Sequence, residues 1–213
     1  METFWAIIDF FKSGGFFMYP ILLTLAVGMA IIIERIIFLS RAWIDGRALW
    51  SRIEPDIRAK RLAEAIQQCR ESEAALPAVL AAGLERAMNT KLTKKDREEL
   101  ENYIEETMLA VMPQLERRTH YLPTLANVST LLGLLGTIIG LIQSFQSITA
   151  ADPSQKATLL AHGVSVVMNT TAFGLIVAIP IMLCYAYLQS RTIKIVDMLD
   201  AFSIKLVNAL TTE

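Results

Sequence analysis

Three stretches without a single Asp, Glu, Lys or Arg, Ser13 to Ile33, Tyr121 to Ala151 and Ala157 to Ser190, constrain this chain more than any other feature. Each reaches or exceeds the roughly 20 residues that carry a helix across hydrocarbon. They predict an all-α membrane protein with three transmembrane helices. The second and third runs exceed what spanning needs, so those helices tilt or continue as helix into an aqueous cytoplasmic helical domain. A soluble fold would instead have to bury three apolar hairpins of this length. The separation of apolar runs from charged blocks, in a chain 54% hydrophobic with mean hydropathy +0.44, argues against that.

Lys and Arg near the ends of the runs set the orientation. Arg35, Arg41, Arg47 and Arg52 follow the first run, Arg117 and Arg118 precede the second, and Arg191 and Lys194 follow the third. Such flanks stay cytoplasmic. The opposite side holds Lys12 and Lys156. The expected order is an interfacial helix at 1–15 on the periplasmic side, transmembrane helix 1 at 16–39 and a cytoplasmic helical domain at 40–119. Transmembrane helix 2 at 120–148, a periplasmic loop at 149–160, transmembrane helix 3 at 161–189 and a cytoplasmic C-terminal helix at 190–213 complete it. The first 15 residues lack the basic start of a signal peptide, so they are expected to be retained. Their aromatic and aliphatic residues suit a helix lying in the interface, though ordinary flanking sequence fits equally well.

The charged segment has helical periodicity, with Leu62, Ala65, Ile66 and Cys69 on one face. Pro77 and the stretch from Asn89 to Leu92 divide it. Thr93 with Asp96 approximates a capping box that starts a further helix running toward Met112. Pro113 and Pro123 mark the approach to the second span, where each removes a backbone donor. Beyond Ser190, Ile193, Val196, Leu199, Phe202 and Leu206 predict that the third helix continues with an apolar face. Cys69 and Cys184 lie in regions that do not meet and are expected to be free thiols. A net charge of −1 gives no case for nucleic acid, and no nucleophile and base pair, phosphate loop or metal-ligand spacing is present. Neither cofactor, metal nor enzymatic activity is expected.

Inside the membrane, the second span reads NVSTLLGLLGTIIGLIQSFQSI. Thr130, Thr137 and Ser144 recur every seventh position and form one narrow polar stripe, with Gly133 and Gly140 beside it. Gly136 and Gly140 make a GxxxG pair that permits close helix approach. Helix packing accounts for these residues as readily as a pore lining does. In the third span Thr171 shares a face with Val164, Val167, Gly174 and Ala178, and Asn169 points elsewhere, toward an inter-helix polar contact. Thr170 can bond its own backbone. Glu34 and Arg35 at the end of the first span are expected to snorkel, and His162 stands at the outer entrance of the third. Neither the second nor the third span contains an ionisable carboxyl group. A hydroxyl does not titrate near neutral pH, so a proton crossing here needs an acid from another chain.

At GLLGTIIG (Gly133 to Gly140), NTTAFGLIVAIP (Asn169 to Pro180) and ERIIFL (Glu34 to Leu39) the sequence resembles the MotA/TolQ/ExbB family. Three spans with a large loop after the first favour its ExbB/TolQ-like branch over the longer, four-span MotA. The resemblance implies a proton channel and stator subunit of a bacterial inner-membrane motor. In it a homo-pentamer encloses the single helices of two ExbD/TolR-like chains whose transmembrane Asp carries the proton. A TonB/TolA-like protein would be a further partner and membrane lipid the surroundings. It further implies that Thr137 and Thr171 face the pore with Thr130 and Ser144. Gly133, Gly140, Gly174 and Ala178 would clear room for the partner helix, and proton flow would drive rotation. Two positions depart from the family pattern: Val166 where a glutamate is common and Thr130 where proline is common. A non-conducting scaffold, or a MotA-like stator of another motility or transport system, is the alternative.

Overall fold

The computed structural model describes residues 15–89, 97–149 and 152–211. Expectations for the N-terminal interfacial helix and for the Thr93–Asp96 capping box lie outside these residues, as do the side chains of His162 and Val166. Every element among the described residues is a helix: α1 (Met18–Ala42), α2 (Gly46–Arg58), α3 (Leu62–Arg70), α4 (Ala75–Asn89), α5 (Arg97–Glu116), α6 (Tyr121–Thr149) and α7 (Lys156–Thr211). Among the described residues, three helices are long and apolar enough to cross a membrane. The 29 residues of α6 rise about 44 Å, more than the roughly 30 Å of hydrocarbon. The 56 residues of α7 carry it far beyond what a span needs.

The contacts divide the chain into two units, one of Met1–Ile33 with Arg118–Ala186 and the other of Glu34–Arg117 with Tyr187–Glu213. The first is apolar outside as well as inside. Leu131, Leu134, Ile138, Ile142 and Phe145 of α6 and Ile176, Ile179 and Leu183 of α7 are exposed. Water penalises such a surface and lipid does not, so the chain is an all-α membrane protein.

The second unit has an ordinary aqueous-type core. α2, α3, α4 and α5 pack in chain order. They bury Leu49 and Ile53, Ala65, Ile66 and Cys69, Leu76, Leu80 and Leu84, and Leu100 and Ile104, together with Leu199 and Leu206 of α7. Asp45 caps α2 by accepting from the amides of Arg47 (3.0 Å) and Ala48 (3.3 Å). Pro77 falls in the first turn of α4, where a missing amide costs no helical bond. Gly83 lets α4 meet α5 and α7, since a Cβ there would lie 2.9 Å from Leu206 Cδ2 and 3.1 Å from Ile104 Cδ1.

Two sequence expectations are corrected in this unit. Arg35 does not snorkel: it is 2% exposed and donates to the carbonyls of Gln114 (3.1 Å) and Leu115, with its guanidinium 4.7 Å from the Phe38 ring. It satisfies the last carbonyls of α5, which no amide of that helix can reach. The buried face of α7 is the expected one at Leu199, Phe202 and Leu206 but not at Ile193. Leu188, Thr192, Ile195, Leu199, Phe202 and Leu206 face inward while Ile193 is half exposed. Each step of three residues turns only about 300°, short of a full circle, so a face drawn in threes from Ile193 reaches the true seam only by Leu199.

Candidate channel wall

The face of α6 that meets α7 is made of small residues. Ser129, Gly133 and Gly136 are buried, and on α7 so are Val167, Thr170, Gly174 and Ala178. At Gly174 an added Cβ would lie 2.8 Å from the Ser129 carbonyl oxygen and 3.2 Å from Gly133 Cα. At Gly133 it would meet the Thr170 carbonyl oxygen and Thr171 Cα, each at 3.3 Å. These neighbours are backbone atoms, so the two helices touch main chain to main chain, as small residues permit in lipid. Gly136 holds the Thr170 methyl and Phe17, Gly140 holds Val167, and Gly163 lies against Ser144.

Two hydroxyls tie the crossing in opposite directions. Ser129 on α6 donates to the Gly174 carbonyl on α7 (3.2 Å), and Thr171 on α7 donates to the Gly133 carbonyl on α6 (3.2 Å). In an α-helix the Gly133 carbonyl also takes the amide of Thr137, four residues on. One backbone oxygen therefore links the two threonines singled out from the sequence. Thr137 itself donates to Leu134 O (2.6 Å), Thr130 to Ala126 O (3.2 Å) and Ser144 to Gly140 O (2.8 Å). Thr130 is exposed, whereas Thr137 and Ser144 are partly buried. Asn169 is partly buried and has an interacting partner.

Gly133, Gly140 and Gly174 thus stand at the contact between α6 and α7 of the same chain, with Ala178 buried further along. Sequence reasoning overlooked Ser129. The available signal was the spacing of Ser129, Gly133, Gly136 and Gly140, in steps of four, three and four, which marks a helix seam. Each of the wall hydroxyls of Ser129, Thr130, Thr137, Ser144 and Thr171 spends its proton on a backbone carbonyl. What it can offer outward is oxygen lone pairs alone. Outside the wall, burial pushes the Cys69 thiol up to about 11, which keeps it neutral and inert.

The family model of the MotA/TolQ/ExbB proton channel family matches residues 71–201, more than half of the chain and all of this wall. The chain belongs to that family. An ExbB homolog of Methanothermobacter thermautotrophicus, described as a biopolymer transport protein, is 25% identical over 94% of this chain and 69% of its own length. An ExbB-like biopolymer transport protein of Synechocystis is 29% identical over 92% of this chain and 75% of its own. The Tol-Pal system protein TolQ of Haemophilus influenzae is 29% identical over 78% of this chain and 74% of its own. These relatives place it on the ExbB/TolQ-like side of the MotA/TolQ/ExbB family, among proton channels of energy-transducing complexes. It is a multi-pass membrane protein of a channel family.

Proposed function

We propose that this chain forms the wall of a proton-driven motor, assembled as a pentameric ring in the inner membrane with its C-terminus in the cytoplasm. The ring surrounds the single transmembrane helices of two ExbD/TolR-like chains. The observation that carries this reading is a helix pair with no acid in its uncharged runs, whose Thr137 and Thr171 are joined at the Gly133 carbonyl. The partner's Asp supplies the proton carrier that the wall lacks.

Because Thr137 and Thr171 already donate to backbone oxygens, they accept from a protonated carboxyl group and offer no proton to a carboxylate. The wall then favours the neutral acid, which suits a group resting at membrane depth, where charge costs about 3 kcal/mol. Thr130 and Ser144 extend the same acceptor stripe toward either end of α6. Gly133, Gly140, Gly174 and Ala178 keep α6 and α7 close enough for a partner helix to meet both. Asn169 bonds between helices. Proton entry, protonation, turning of the ring and release on the other side convert about 2.3 kcal/mol per charge per 100 mV into rotation.

The test is co-reconstitution with an Asp-bearing single-span partner in liposomes, with proton flux read by an internal pH dye. Thr137→Val and Thr171→Val keep shape and remove the acceptor. Flux is expected to fall about tenfold with the ring intact, the weight of one good hydrogen bond. Undiminished flux in both variants would sink the hydroxyl role. A ring that retains no such partner would favour the non-conducting scaffold.

A further inference from the structure

A groove of about 360 Å³ lies within the second unit, between the end of α1 and the stretch of α7 that follows its uncharged run. Its floor is apolar: Leu39, Leu188 and Ile195 are buried there. Its rim carries Ser40, Trp43, Tyr187 and Arg191. The Arg191 guanidinium lies 5.7 Å from the Trp43 ring and 5.3 Å from the Tyr187 ring, and its Nε donates to the Tyr187 hydroxyl at 3.0 Å. That bond and the two rings hold it over the groove. No carboxylate among the described residues pairs with it, and Asp45, just past the end of α1, is already held by the amides of Arg47 and Ala48.

Position and chemistry together choose the occupant. Arg191 is the first charge after the third uncharged run, and Trp and Tyr beside it are the residue types that sit at headgroup level. A held guanidinium with free amino groups matches a phosphate oxygen pair, and the Ser40 hydroxyl can add a third donor. The apolar floor suits the first methylenes of an acyl chain and gives nothing to a free phosphate ion. The volume falls in the range of about 300–1,000 Å³ typical of ligand sites. Arg41 and Lys194 on the same two helices raise the local positive charge. We propose that this groove binds the phosphate headgroup of an anionic phospholipid, with Arg191 as its anchor.

The full chain, purified in uncharged detergent, is titrated with phosphatidylglycerol or phosphatidylcholine, and bound lipid is counted by native mass spectrometry. Phosphatidylglycerol is expected to bind preferentially, and Arg191→Gln to weaken it about fivefold, the effect of one basic side chain at a charged membrane surface. Trp43→Leu should weaken it less. Arg191→Lys, which keeps the charge but loses the planar fork, should fall between the wild type and Arg191→Gln and gives the same comparison if the glutamine variant loses helicity. An unchanged preference in Arg191→Gln overturns the proposal. Displacement of the lipid by inorganic phosphate would assign the site to a soluble anion and also overturn it. A change of oligomeric mass with lipid count unaltered would mean that a second copy of the chain covers the groove, and would overturn it as well.

Discussion

Glycines differ in what a methyl group would strike, and the α6–α7 crossing separates two cases. Alanine at position 174 would drive Cβ to 2.8 Å from the Ser129 carbonyl oxygen, a backbone atom that moves only if the helices part. Alanine at position 140 would meet Val167 Cγ2, the tip of a side chain. Gly174→Ala is therefore expected to cost about 1–3 kcal/mol as an overpacked contact, and to break the Ser129 and Thr171 bonds across the crossing. Gly140→Ala should cost less. Thermal unfolding in detergent, followed by circular dichroism, compares the two, and equal losses would contradict the main-chain contact. Thr137 stood out through its seven-residue spacing with Thr130 and Ser144, and Thr171 as the lone hydroxyl on a face of small and apolar residues. Ser129 was not legible in the same way. Its partner is a carbonyl 45 residues away on another helix, and carbonyls carry no residue-type signal.

Among the helices, length and charge separation foretold the three spans, because a run of about twenty apolar residues admits few other fates. What pattern reading missed is how helices end. Arg35 looked like one of many basic residues flanking a span, yet it closes the last turn of α5 through the carbonyls of Gln114 and Leu115. α5 and α6 then separate at Arg118, whose φ of 64° no helix continues. Nothing local in the sequence around Gln114 announces a cap supplied from 79 residues upstream. Arg35→Met is expected to fray that turn by removing two charge-assisted bonds worth about 1.5–3 kcal/mol each. Hydrogen exchange at the amides of residues 114–117 should accelerate, while those of α3 and α4 keep their protection. Arg35→Lys should rescue the turn only in part, since one ammonium group replaces a fork of two bonds. Full rescue would show that charge alone is at work.

At the level of the whole chain, titration and proton conduction belong to different places. The second and third uncharged runs contain no acid, so the isolated chain has no carboxyl group there whose protonation could alter its stability. In the second unit, Asp56 is buried and accepts from Arg61 Nη2 (2.6 Å), Arg61 Nε (3.2 Å) and Gln68 Nε2 (2.8 Å). The Arg61 hydrogen bond leads in lowering its pKa, helped by Gln68 and opposed by burial. A carboxyl group with a folded pKa below its unfolded value of about 3.9 stabilises fully above that value. The contribution then disappears as pH falls through the folded pKa. Asp56→Asn should therefore melt below the wild type at pH 7, and the gap should shrink as pH drops below about 4. Melting curves from pH 7 to pH 2 check this, and a gap constant across that range would show that shape, not charge, makes Asp56 matter. Because its lowered pKa keeps Asp56 ionised at neutral pH, its titration should leave the proton flux of the reconstituted complex unaltered there. Under the proposed function, the acid of the partner chain is the group whose titration sets the pH dependence of that flux.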